Sequence, residues 1–188
     1  MRLDVYIAPI AEDLRVQPVA CAEREAYHLS LRETARRQRY AAWRTLEEAI
    51  RRSFGIDPET LSFHRLPSGK WTCDTLHFSL SHTRGAVAAA VSDSETGVDL
   101  ECADAFEKRN GNALAKKIRT PSEAQENDSL TLWTMKEAIF KRSGGDVFIP
   151  SQIEAASTPC HTQTVLLPQP YRLSVCGDSL PALRVMIL

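Results

Sequence analysis

Residues 3–8 alternate apolar and polar side chains in the manner of a strand, and Pro9 closes it. Further along, Tyr40, Trp43, Leu46, Ala49 and Ile50 recur at helical spacing, which predicts a long helix with one apolar face. Ser30, with Glu33 three residues later, has the form of a capping box and sets the start of this helix. Gly55 and Asp57-Pro58 set its end. Three strands are predicted next, at 61–66, 76–80 and 86–92, with Pro67-Ser68-Gly69-Lys70 as a turn after the first. The same order of elements then returns. A strand at 98–101 precedes a short helix opened by Thr120, Pro121 and Glu123. A second helix at 130–142 is capped by Asp128 or Ser129 and closed by Gly144-Gly145, and strands follow at 152–155, 163–167, 171–176 and 183–187. The expected fold is α+β, with two pseudo-symmetric halves at 1–94 and 95–188. Each half is a small, mostly antiparallel sheet packed on a long helix.

Composition narrows the classes. The 188 residues carry 23 basic and 24 acidic side chains, a formal charge of -1. Such a balance argues against a chain built to coat nucleic acid or an anionic membrane. Locally the charge is uneven. Arg24, Arg32, Arg36, Arg37, Arg39, Arg44, Arg51 and Arg52 dominate residues 24–52, whereas residues 93–107 hold six acids and no Lys or Arg. The longest purely apolar run, 86–91, is far short of the roughly 18 residues that span a bilayer. Asp4 interrupts the place where a secretory signal needs its apolar core, so the reading is cytoplasmic. Five cysteines without a CxxC pair suit reduced thiols better than a disulfide frame or a zinc site.

Two short segments carry chemistry. On a strand, Gly97-Val98-Asp99-Leu100-Glu101 presents Asp99 and Glu101 on one side while Val98 and Leu100 bury on the other. Paired carboxylates repel one another, and a hard divalent cation holding phosphate oxygens offsets this; two solvated acids on an edge strand are the plainer alternative. On a helix, Glu137 and Lys141 share a face four residues apart, an ordinary surface ion pair in isolation. Trp133 and Phe140 nearby make that face partly buried.

Together, GVDLE and WTMKEAIFK resemble the signature of the 4'-phosphopantetheinyl transferases, a G-[IV]-D-x-E strand followed by a [FW]-x-x-K-E-[AS]-x-x-K helix. FSLSHTRGAVAAAVS at 78–92 is similar to the family's strand with an S-H pair, and SGK at 68–70 to its GK turn. WRTL at 43–46 is similar to its N-terminal helix, and KKIRTPSE at 116–123 takes the place of its F-x-x-x-E segment. The resemblance covers roughly residues 30–150 and is closest to the monomeric, two-lobed class. It implies transfer of the phosphopantetheine arm of coenzyme A to a serine of an apo acyl or peptidyl carrier protein, with release of 3',5'-ADP. It further implies Mg2+, or Mn2+ in its place, on Asp99, Glu101 and Glu137. Glu137 or a bound water is then the base, and Lys141 supports the leaving ADP. His82 and Ser81 are expected at the nucleotide phosphates, with Lys136 at a phosphate or positioning its neighbour. Lys70, Arg44 and Thr45 are candidates for the 3'-phosphate and pyrophosphate. Other readings are a coenzyme A and carrier-binding module without catalysis, and a nucleic-acid binder using the arginine helix, which the net charge disfavours. The arginine-rich and acidic regions are expected to meet across one cleft.

Overall fold

The structure, a computed structural model, describes residues 2–18, 21–178 and 180–188, without the side chains of residues 22, 109–113, 115–116 and 181. In chain order the elements are β1 (Leu3–Pro9), α1 (Ala22–Leu29), α2 (Glu33–Phe54), β2 (Phe63–Arg65), β3 (Trp71–Cys73), β4 (His77–Thr83), β5 (Ala86–Ser92), β6 (Thr96–Cys102), α3 (Ala103–Ile118), α4 (Ser129–Ser143), β7 (Cys160–Leu166), β8 (Pro170–Gly177) and β9 (Leu183–Ile187). β1 lies antiparallel to β5, which pairs with β4. In the same way β6 lies antiparallel to β8, which pairs with β7. Each half is therefore a strand, a long helix and a hairpin, with the first strand against the hairpin's last. β9 returns to the first sheet and pairs parallel with β1, where Arg184 meets the buried Asp4 carboxylate.

The layers follow from which faces are apolar. Val5, Ile7, Ala88 and Ala90 of the first sheet pack against Leu100, Leu173 and Val175 of the second, all fully buried. Trp43, Leu46, Ala49 and Ile50 of α2 cover the outer face of the first sheet, through Tyr6, Ala89 and Val91. On the second sheet α4 plays that part, with Ala138 and Ile139 against Cys176. β5 is buried along its whole length, and its alanines let a sheet and a helix approach from opposite sides.

Several predicted features differ in the folded chain. The Ser30–Glu33 capping box does not form; Ser30 ends α1 and its hydroxyl donates to the Tyr27 carbonyl at 2.6 Å, while Arg32 precedes α2. α1, β3 and α3 were not predicted, α3 because its charged and glycine-containing sequence lacks a strong apolar stripe. Strand 76–80 runs on to Thr83. The segment predicted as a strand at 152–155 is instead irregular, flanked by single turns at Pro150–Gln152 and Ala155–Ser157, because it wraps Glu123, whose Oε1 accepts the Ala155 N–H at 2.8 Å. Cys160 and Cys176 are directly opposed on β7 and β8 with Cα atoms 4.3 Å apart, and they form a disulfide rather than free thiols. Strand register creates that pair, and residue spacing does not reveal it. Cys21, Cys73 and Cys102 are free. Among the described residues no helix is long and apolar enough to cross a membrane.

Edges of the two sheets meet where β4 faces β6. Hydroxyls of Ser79, Ser81 and Thr83, alternate residues of β4, accept the N–H groups of Val98, Leu100 and Cys102 at 3.1, 3.1 and 3.2 Å. Side-chain rungs thus satisfy the edge of β6 without merging the sheets. At the end of this seam the Tyr171 hydroxyl donates to the Arg84 carbonyl at 3.0 Å.

Helix α4 seats on β6 through Gly97, where a Cβ atom would stand 1.9 Å from the Ala138 carbonyl oxygen and 2.7 Å from the Arg142 nitrogen. Only glycine permits that approach, which is the physical role of the residue that opens GVDLE. Gly97→Ala is expected to cost about 3 kcal/mol, as overpacking against a backbone that cannot yield locally. Urea denaturation measures it, and an unchanged midpoint would mean that helix and strand are not in this contact.

Candidate active site

The two motif segments fold into one centre. Strand alternation turns Asp99 and Glu101 of β6 toward α4, and the four-residue spacing of Glu137 and Lys141 turns both toward β6. Lys141 Nζ donates to Asp99 Oδ1 at 2.6 Å and to Ser81 Oγ at 3.2 Å, and it lies 3.8 Å from Glu137 Oε2. Burial and the negative charges of Asp99 and Glu101 outweigh Lys141 and push Glu137 up to about 7. Burial opposes the charge on Lys141, but Asp99 and Glu137 overcome it and hold its pKa above the ordinary lysine value.

Among the described residues no three His, Cys, Asp or Glu side chains form a finished metal cage, and Lys141 sits among the carboxylates instead. The donor set still fits a hard divalent cation. Three carboxylates face one ammonium, and Asp99 Oδ2 is buried with no hydrogen-bond partner.

A raised Glu137 also costs stability. Its contribution is complete below the ordinary carboxylate value of 4.5 and is lost as pH rises through about 7, because the unfolded chain ionises first. In metal-free protein Glu137→Gln is therefore expected to be stabilising by about 1–2 kcal/mol at about pH 8 and near neutral at about pH 4. Urea melts at the two pH values check the sign, and a variant less stable at the higher pH would contradict it.

Next to this centre lies a cleft of ≈ 220 Å³, walled by α2, β4, the turn before β3 and the end of α4. Arg39, Lys70, His82 and Lys141 line it together with the rings of Tyr27, Trp43, Trp71, Phe78 and Phe140, and no described carboxylate does. Cationic groups beside stacked rings suit a ligand that carries both phosphate and a flat ring. Burial first, and then Arg39 and Lys141, push His82 down to about 4, so the imidazole is neutral near pH 7 and one ring nitrogen can donate. Lys70 Nζ donates to the Arg142 carbonyl at 3.3 Å, tying the GK turn to the C-terminus of α4. Trp71 Nε1 and Ser68 Oγ, both in cleft-lining residues, are buried without a partner.

Asp99, Glu101, Glu137, Lys141, Ser81, His82 and Lys70 are thus brought to one place, and three other expected residues are not. Arg44, with a side chain 63% exposed and 3.7 Å from Glu47, opens on a separate groove with Arg24 and Arg51. Thr45 is 4% exposed, too buried to meet a phosphate. Ser81 does reach the centre, 3% exposed, with its hydroxyl donating to Asp99 Oδ1 and accepting from Lys141 Nζ. Lys136 is fully buried and turned about 100° around α4 from Glu137. It pairs with Glu123 and donates to the carbonyls of Ile118 and Pro150 at 2.6 and 3.0 Å. Arg39, Thr83 and Trp71 were missed. Arg39 precedes Trp43 by four residues, the interval that places both on one helical face, and this was a usable signal for it.

No protein-family model matches the chain. Curated relatives at low identity do. A 4'-phosphopantetheinyl transferase of Bacillus subtilis is 26% identical over 161 residues, 70% of this chain and 70% of the relative. The 4'-phosphopantetheinyl transferase psf-1 of Bacillus pumilus is 27% identical over 155 residues, 70% and 66% of the two chains. The 4'-phosphopantetheinyl transferase Sfp of Bacillus subtilis strain 168 is 24% identical over 160 residues, 70% of each. The paired motifs thus meet in space beside a phosphate-suited cleft, in a chain that is similar over 70% of its length to 4'-phosphopantetheinyl transferases of the Sfp type.

Proposed function

We propose that this chain moves the 4'-phosphopantetheine arm of coenzyme A onto a serine of an apo acyl or peptidyl carrier protein, releasing 3',5'-ADP, and that it acts as a cytoplasmic monomer. One observation carries the reading: Lys141 both lines the basic, aromatic cleft and contacts Asp99, so a phosphate held in the cleft lies beside the carboxylates. Arg39 and Lys70 draw the phosphates in, and the rings of the cleft take the flat base. Glu137 accepts the proton of the serine hydroxyl, directly or through a water. The serine oxygen bonds to the phosphorus of the pantetheine phosphate, the bond from that phosphorus to the bridging oxygen breaks, and ADP leaves with the electron pair. Lys141 faces the charge that develops there. Asp99, Glu101 and Glu137 would hold a divalent cation, Mg2+ or Mn2+, which would supply neutralisation of the pyrophosphate charge. Both cleft and carboxylate centre are built within one chain, which supports a monomer.

The test is incubation with coenzyme A, Mg2+ and a panel of apo carriers, read by mass spectrometry. A gain of one phosphopantetheine on any carrier is the expected result. Tight coenzyme A binding with no gain on any carrier would point instead to a binding module without catalysis.

A further inference from the structure

The seam between β4 and β6 contains more than sheet-edge satisfaction. Each hydroxyl of β4 stands against the residue of β6 that lies 18 positions later in sequence: Ser79 against Gly97, Ser81 against Asp99 and Thr83 against Glu101. All three accept a β6 N–H, but only two also donate to a carboxylate. Ser81 Oγ donates to Asp99 Oδ1 at 2.8 Å, and Thr83 Oγ1 donates to Glu101 Oε2 at 2.9 Å. A serine hydroxyl has one proton and two lone pairs, and Ser81 uses all three by also accepting from Leu100 N and Lys141 Nζ. A hydroxyl so saturated is fixed in direction, and it fixes one oxygen of Asp99. The other oxygen, Oδ2, is the buried atom without a partner.

We propose that Ser81 and Thr83 are positioning residues for the carboxylate pair: their hydroxyls, clamped by main-chain N–H groups of β6, aim Asp99 and Glu101 toward a shared cation. The inference rests on the proposed cation-dependent reading of the centre. Each clamp closes a small ring through the strand itself, from N–H to hydroxyl to carboxylate of the preceding residue, so carboxylate direction is set by the docking of the two halves. Ser79 is a control supplied by the fold. It makes the same main-chain rung, but the facing residue is Gly97, which has no side chain.

Mn2+ binding to the ligand-free protein, followed by electron paramagnetic resonance, tests this alongside urea denaturation. Ser81→Ala and the near-isosteric Thr83→Val are expected to weaken Mn2+ by about 10- to 100-fold, the range seen when groups that orient metal ligands are removed. Ser79→Ala should leave Mn2+ affinity within about twofold while losing similar stability to Ser81→Ala, because each removes one buried rung. Thr83→Ser, which keeps the hydroxyl, should restore the affinity. Should Ser81→Ala fold poorly, the pair Thr83→Val and Thr83→Ser carries the test alone. Wild-type protein that binds Mn2+ while Thr83→Val or Ser81→Ala binds it equally well overturns the positioning role and leaves the cation reading standing. Equal weakening by Ser79→Ala also overturns it, since the effect is then that of the seam as a whole. Wild-type protein that binds no Mn2+ overturns both.

Discussion

Asp99→Asn is expected to lower carrier modification by at least about 10³-fold while the fold survives, a loss comparable to removing a principal charge-stabilising group from an active site. Asparagine keeps the shape but removes the charge at the most buried carboxylate of the centre, which is 4% exposed and contacted by both Lys141 and Ser81. Lys141 then loses the counter-charge 2.6 Å away, and Glu137 loses a like-charge neighbour that helps to raise it toward 7. Base strength and cation affinity fall together. Stability should change little, because Lys141 keeps Glu137 and Glu101 as counter-charges while repulsion among three crowded carboxylates is relieved. Turnover with saturating coenzyme A and carrier, beside a thermal melt of the same sample, measures both. Activity within tenfold of wild type would remove Asp99 from the centre, and a large fall in melting temperature would reduce the effect to misfolding.

The second large effect belongs to a lysine that does not reach the cleft. Lys136→Met is expected to destabilise the protein by about 3–5 kcal/mol at about pH 7, the range for leaving one partner of a buried ion pair alone. Methionine nearly matches the lysine chain in length but withdraws the donor from the carbonyls of Ile118 and Pro150, and it strands Glu123, whose side chain is 11% exposed. Burial by itself raises the pKa of Glu123, but Lys136 and the N–H groups of Thr120 and Ala155 outweigh it and hold it below the ordinary 4.5. The pair's contribution is therefore complete above 4.5 and is lost as pH falls through the depressed folded value. Without Lys136 the carboxyl rises and can take up a proton, so the deficit of the variant should shrink on going from about pH 7 to about pH 4. Urea melts at both pH values check this, and the added substitution Glu123→Gln should recover part of the loss. An equal deficit at both pH values would mean that Glu123 is not the stranded charge.

Lys136 also marks how far a sequence can be read. It stands beside Glu137 in the motif and was expected at a phosphate or positioning its neighbour, yet one helical step of about 100° turns it from the face of Glu137 and Lys141 to a fully buried one. The apolar stripe of α2, the Asp128 cap and Gly144 close of α4, and the strand at 183–187 were legible, because each rests on periodicity or local backbone chemistry. Glu137 with Lys141, and Asp99 with Glu101, were legible for the same reason, as neighbours on a helix and on a strand. The Ser30–Glu33 box was not, since α1 takes Ser30 for its own C-terminus, a competition between two helices that a capping pattern does not register.

By itself, then, the sequence determined the two-half α+β plan, the paired carboxylates and the helix that carries Glu137 and Lys141, all relations between residues close along the chain. Tertiary structure alone decided that Asp99 lies within 2.6 Å of Lys141, that Arg39 rather than Arg44 enters the cleft, and that Cys160 opposes Cys176. It also decided that the Ser81 and Thr83 hydroxyls donate to Asp99 and Glu101. Each of these depends on strand register or on how one layer is rotated against another. Those choices are set by the joint packing of distant segments, and no local pattern encodes them.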